Sequence, residues 1–186
     1  MKSTITYLKS FIKDKDVASV TPSSKLLIRR VCGPIDFEKD NVILEYGTGT
    51  GVFADYLLKH LTTDSRLILF ETNEAFYEKL QEISDPRVEV FNESVEHVKS
   101  LLGSRYLNAV DYVISGIPFS FLEPETKSSI LLQTKEMLKQ GGKFLAYQTS
   151  GHLKDPLREV FGNGNVSTEM EFLNVPPMVV YEATKR

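Results

Sequence analysis

From Asn41 onward, short apolar runs alternate with longer amphipathic ones, and this alternation constrains the fold more than any other feature of the chain. Asn41 to Tyr46, Leu67 to Phe70, Val88 to Phe91, Asp111 to Ser115 and Lys143 to Gln148 have the length and aliphatic content of buried strands. Val52 to His60, Glu74 to Ile83, Ser94 to Leu102 and Glu123 to Lys139 carry helical spacing between them. Strands separated by helices return to the same edge and run parallel, so the pattern predicts a sheet with helices on both faces. Gly141-Gly142 is expected to stop the last of these helices. After Ser150 a polar stretch through Gly162-Asn163-Gly164 leads into Thr168 to Leu173, a turn at Asn174-Val175-Pro176-Pro177, and Met178 to Ala183, which predicts a hairpin. At the other end, Ile5, Leu8, Phe11 and Ile12 recur between lysines and predict a short amphipathic helix over Thr4 to Lys13. A second helix is expected from Pro22-Ser23-Ser24 to Gly33-Pro34.

With 186 residues, 41% hydrophobic and 25% charged, the chain reads as one soluble α/β domain over 1–186, its residues 1–33 a helical extension. The sole cysteine, Cys32, lies in an apolar stretch and reads as a buried structural thiol in a reducing compartment. Met1 to Asp16 scatters lysines and lacks a signal-peptide core, and no apolar run approaches the ~20 residues of a membrane span, so a cytoplasmic protein is expected. A net charge of -3 gives no general attraction to polyanions, although Lys2, Lys9, Lys13 and Lys15 cluster at one end.

The strongest chemical signal is Glu45-Tyr46-Gly47-Thr48-Gly49-Thr50-Gly51, placed between an expected strand and an expected helix. Glycines there allow a tight turn and close approach to a ligand, which the helix N-terminus offers free amides. A dinucleotide fingerprint would need its third glycine where Val52 stands, and no Gly-Lys-Ser/Thr ending marks a triphosphate loop. Glu71 follows the second strand about twenty residues beyond Gly51, where a carboxylate accepts both hydrogen bonds of a ribose diol. The expected ligand is an adenosine with free hydroxyls. At the end of the fourth strand, Ser115-Gly116-Ile117-Pro118-Phe119 forms a proline-stiffened loop that can wall a pocket.

These residues resemble the class I S-adenosylmethionine-dependent methyltransferases over nearly the whole chain. The resemblance assigns Glu45, Gly47, Thr48, Gly49 and Gly51 to the first cofactor motif, Glu71 with Thr72 to the ribose, Asn92-Glu93-Ser94 to the adenine, and Ser115-Gly116 to the methyl-donor end. The family's third turn usually carries Gly-Asp, where this chain has Asn92-Glu93. The resemblance also implies a Rossmann-like three-layer sandwich with a mostly parallel seven-stranded sheet, its last strand antiparallel. Within the family the chain is similar to bacterial phospholipid N-methyltransferases at Ala18 to Ser24, Ser115 to Pro118 and Asn174 to Pro177, and more distantly to ribosomal RNA adenine dimethylases. The dimethylases carry an Asn-Leu-Pro-Tyr loop, so their base-holding asparagine is missing here.

A sulfonium methyl is already activated, so transfer needs positioning and a neutral desolvated nucleophile more than acid or base groups. Phe119, Phe121 and Tyr147 are candidate walls for an amine headgroup, with ordinary core packing as the alternative. Tyr46 and His152 are the candidate proton acceptors, and His60 and His97 fall in expected helices. No metal-ligand spacing is visible. The N-terminal stripe either lies in a membrane interface or packs as a lid over the cofactor. Three functions stay open: methylation of an amine on a phospholipid such as phosphatidylethanolamine, or on another lipid or small molecule; methylation of a nucleic-acid base, which the charge disfavours; and a non-catalytic cofactor-binding module.

Overall fold

The computed structural model describes residues 22–174 and 176–186, so the expected helix over Thr4 to Lys13 lies outside the described residues. Among the described residues seven strands form one sheet: β1 (Val42–Tyr46), β2 (Arg66–Phe70), β3 (Val88–Phe91), β4 (Val110–Ser115), β5 (Leu138–Gln148), β6 (Val166–Glu171) and β7 (Met178–Thr184). Their spatial order is β3-β2-β1-β4-β5-β7-β6. The first five are parallel, and β7 runs antiparallel between β5 and β6. This is the Rossmann-like, mostly parallel arrangement that the resemblance implied.

Among the described residues six α-helices cover the sheet: α1 (Pro22–Cys32), α2 (Val52–Leu58), α3 (Glu74–Leu80), α4 (Val98–Tyr106), α5 (Pro124–Met137) and α6 (Lys154–Phe161). Because side chains alternate along a strand, the sheet feeds two apolar layers. Leu44, Tyr46, Ile68, Phe70, Val113 and Phe144 pack with residues of α4, α5 and α6. Ile43, Leu67, Leu69, Ile114 and Leu145 pack with residues of α1, α2 and α3. Arg30 of α1 donates to Glu171 Oε2 at 2.6 Å and Glu169 Oε2 at 2.7 Å, pinning the helix to β6. Asp111 Oδ2 accepts from the Val42 amide at 2.8 Å and locks β1 to β4.

Two expectations are corrected. Gly141-Gly142 does not stop a helix: α5 ends at Met137, and the glycines lie within β5. Leu138 pairs with Val110 and Lys143 with Tyr112, so extra residues bulge out of β5 between these pairs. A Cβ on Gly142 would come within 2.9 Å of the Val110 carbonyl oxygen, which is why a glycine sits there. The stretch after Ser150, expected to be merely polar, contains α6, whose Leu157 and Phe161 are buried with the preceding Leu153. Its Pro156 stands in the first turn, where a missing N–H costs no helical bond.

After β1 the chain builds β2 and β3 on one side, then crosses to β4 on the other. That reversal opens a crevice at the carboxyl ends of β1 and β4, where ligands of open α/β sheets bind.

Candidate cofactor site

The turn leaving β1 is tied to β2, since the amides of Gly47 and Thr48 both donate to the Phe70 carbonyl, at 2.9 and 3.2 Å. Gly47, Gly49 and Gly51 have φ of 70, 58 and 85°, a conformation side chains oppose. Around Gly49 a Cβ would meet nothing within 4 Å, so its backbone faces open space. At Gly47 a Cβ would come within 2.7 Å of Ile117 Cγ2, so this glycine lets the loop after β4 close over the turn.

Glu71 sits buried at the end of β2. Its Oε2 accepts from the Gly49 amide at 2.7 Å and its Oε1 from the Asn73 amide at 2.7 Å. Asn73 in turn caps α3 by accepting from the Phe76 amide at 3.2 Å. The carboxylate is thus fixed against the glycine turn, as an acid serving the same ligand must be. Glu45, on the same crevice, is also buried, and burial, Glu71 and Asp55 together hold its carboxyl well above the ordinary range.

Two buried polar atoms here have no hydrogen-bond partner, Glu45 Oε2 and Thr48 Oγ1; Ser115 Oγ is a third, on the sheet face that Ser115 shares with its strand neighbour Tyr46. Each such atom costs about 1–3 kcal/mol, so the unpaired Glu45 and Thr48 at the carboxyl end of β1 mark a place made for a polar ligand. A sulfonium compound carrying an amine and a ribose diol fits that donor and acceptor set.

A methyltransferase domain model matches residues 43–142, more than half of the chain, from β1 through the loop after β4 and on into β5. The chain belongs to the methyltransferase domain family. It is an S-adenosylmethionine-dependent methyltransferase of class I. An ornithine lipid N-methyltransferase of Singulisphaera acidiphila is 29% identical over 147 residues, covering 77% of each chain. Two solved structures share the fold: the 1,6-didemethyltoxoflavin-N1-methyltransferase of Burkholderia thailandensis (TM-score 0.72, 14% identity, 97% of this chain and 86% of that one) and the spermidine synthase of Thermotoga maritima (0.61, 16%, 86% and 60%).

The other expected site residues of this methyltransferase fall into two groups. Thr72, half-buried, follows Glu71, while Asn92 and Glu93 are exposed at the end of β3. The Ser94 hydroxyl accepts from the Glu96 amide at 3.3 Å and caps a short 3-10 turn before α4. Gly116 donates to the Tyr46 carbonyl at 3.0 Å, and a Cβ on it would collide with the Tyr147 hydroxyl. Tyr147 stacks on Phe53 of α2 with ring centroids 4.9 Å apart, so it lies against both the turn and the loop. Burial beside Glu45 and Cys32 pushes its hydroxyl up, and the buried Cys32 thiol is raised likewise.

Tyr46 and Phe119 do not reach the crevice, which corrects their expected catalytic roles. Tyr46 is fully buried in the opposite apolar layer, its hydroxyl accepting from Thr134 Oγ1 at 3.3 Å, because it neighbours Glu45 on a strand and must face the other way. Phe119 is buried edge-on against Phe144 in that same layer. Phe121 is half exposed, and His152 is exposed in the turn after β5.

Sequence reasoning missed Gln148. Its Oε1 accepts from the Phe119 amide at 3.1 Å and its Nε2 donates to the Ile117 carbonyl at 2.8 Å, so it sets the loop that covers Gly47. A buried amide ending an apolar strand was the available signal.

Proposed function

We propose that this methyltransferase methylates the amine nitrogen of a membrane-lipid headgroup such as phosphatidylethanolamine. The similarity to an ornithine lipid N-methyltransferase over 147 residues carries the lipid part of this reading, since that relative's substrate class is an amine-bearing lipid. The site's chemistry supports the rest. With Tyr46 enclosed in the core and the Tyr147 hydroxyl raised, neither tyrosine serves as a base, which suits an amine that arrives neutral and needs only placement.

S-adenosylmethionine supplies, when bound, a methyl group on a sulfonium already activated for displacement. In this reading Glu71 takes the ribose hydroxyls, releasing the Gly49 amide, and Glu45, Thr48 and Ser115 take the polar methionine end. Thr72 and the Asn92 to Ser94 turn flank the adenine. Gly47, Gly49, Gly51 and Gly116 keep the backbone close to the ligand. Tyr147, backed by Phe53, walls the acceptor side and excludes water from the headgroup. The chain acts as one domain, with residues 1–33 as lid or membrane contact. Among the described residues no helix is long and apolar enough to cross a membrane.

The test is transfer of labelled methyl into vesicles containing phosphatidylethanolamine or ornithine lipid, beside total RNA and a protein extract. Label is expected in the lipid. Label confined to RNA would favour base methylation, and cofactor binding without transfer to any fraction would favour a non-catalytic module.

A further inference from the structure

The hairpin joining β6 to β7 carries the two most exposed large apolar side chains among the described residues, Phe172 at 71% and Leu173 at 68%. Glu171 pairs with Met178 and Gln148 with Val179, so the hairpin tip emerges beside the carboxyl end of β5, on the edge of the sheet that holds the cofactor crevice. Two hydrogen bonds lie within the tip. The Leu173 amide donates to Glu171 Oε1 at 3.0 Å, Asn174 Nδ2 donates to the Pro176 carbonyl at 2.8 Å, and Pro176 and Pro177 have no N–H to satisfy. Glu171 and Glu169 are both paired with Arg30, at 2.6 and 2.7 Å, which neutralises much of the acidic charge at the hairpin's base and fixes it to α1.

Large apolar side chains held outward on a turn that carries two internal hydrogen bonds and two prolines without N–H groups meet the requirement for shallow burial at a bilayer, where unpaired backbone groups are penalised. A protein partner reading the edge strand β6 would use that strand's open ladder groups, whereas Phe172 and Leu173 lie beyond its last residue, Glu171. We propose that Phe172 and Leu173 form a wedge that enters the bilayer interface and holds the crevice against the lipid headgroups. This inference rests on the lipid reading, because only a substrate that stays in the membrane requires the crevice edge to meet it.

The chain contains no tryptophan, so Phe172→Trp gives a single emission reporter at the tip. On addition of phosphatidylethanolamine and phosphatidylcholine vesicles its emission is expected to shift to the blue and to be quenched by brominated acyl chains. The Phe172→Ser/Leu173→Ser variant is expected to bind vesicles about tenfold or more weakly and to lose a similar factor of methyl transfer on vesicles. It should keep its melting temperature and its transfer to a short-chain phosphatidylethanolamine dissolved as monomers. An unresponsive tryptophan, vesicle binding unchanged in the double variant, or an equal loss on monomeric lipid overturns the wedge. So does a dimer that the double variant dissociates, since a second copy would then cover the tip. If the wild type methylates no amine lipid in either form, the lipid reading falls, while the tryptophan and vesicle titrations still decide whether the tip inserts.

Discussion

The carboxylate of Glu71 and the backbone amide of Gly49 meet at 2.7 Å, joining the end of β2 to the glycine turn that leaves β1. A cofactor's ribose competes for that carboxylate. Glu71→Ala removes an acceptor worth about 1.5–3 kcal/mol per charged hydrogen bond, so titration calorimetry should show S-adenosylmethionine affinity falling by roughly a hundredfold. Affinity unchanged in this variant would remove Glu71 from the site.

Gly49 and Gly47 separate ligand space from packing space. Around Gly49 a Cβ meets nothing, so Gly49→Val suffers mainly from its φ of 58°, a cost of about 1–2 kcal/mol. The protein should fold, with a modestly lower melting temperature, and fail to bind the cofactor. Gly47→Ala strikes Ile117 and should lower the melting temperature further. Equal cofactor affinity for Gly49→Val and wild type would show that the open face is not the ligand's.

How much of this was legible in the sequence follows from where each signal is encoded. β1 to β4 fall within a residue of their expected bounds because buried parallel strands are continuous apolar runs. The start of β5 was not legible, since the pairing of Leu138 with Val110 and the bulge after it are decided by the neighbouring strand. α6 was hidden because Leu157 and Phe161 sit among charged residues and beside Pro156. The glycine turn and Glu71 were readable from local spacing. The side-chain directions of Tyr46 and Phe119 were not, although the alternation along a strand already placed Tyr46 opposite Glu45.

That alternation yields a prediction about the tyrosines. Tyr46→Phe removes one long buried hydrogen bond, at 3.3 Å from Thr134, and should cost at most about 0.5–1.5 kcal/mol in denaturant unfolding. Its methyl-transfer rate and pH profile should match the wild type. Tyr147→Ala opens the wall beside Gly116 and should lower the transfer rate while leaving cofactor affinity nearly intact. A slowed Tyr46→Phe enzyme with normal stability would return Tyr46 to the catalytic machinery.

Arg30 neutralises Glu171, whose side chain is only 5% exposed, and holds its carboxyl below the ordinary range. Arg30→Ala leaves that carboxylate buried without its cation, and the half-exposed arginine limits the loss to about 1–2 kcal/mol. The folded pKa is depressed, so this contribution is present at neutral pH and disappears as pH falls through the carboxylate range. Unfolding curves of wild type and Arg30→Ala should therefore converge in acid, and a gap independent of pH would show that the arginine acts through packing alone.

Glu45 obeys the opposite sign. Its folded pKa lies well above the ordinary value of 4.5, raised by burial and by the charges of Glu71 and Asp55. Its stability contribution is complete below about pH 4.5 and is lost as pH rises toward the folded pKa. Glu45→Gln should accordingly be more stable than the cofactor-free wild type at neutral pH, with the gain vanishing in acid, where both proteins hold a neutral group. A positively charged cofactor favours the ionised carboxylate, so binding should release a proton and tighten as pH rises. Calorimetry in buffers of different ionisation enthalpy measures that proton directly. Glu45→Gln should bind more weakly and lose this part of the pH dependence; a proton count identical in the two proteins would mean that Glu45 does not face the cofactor's charge.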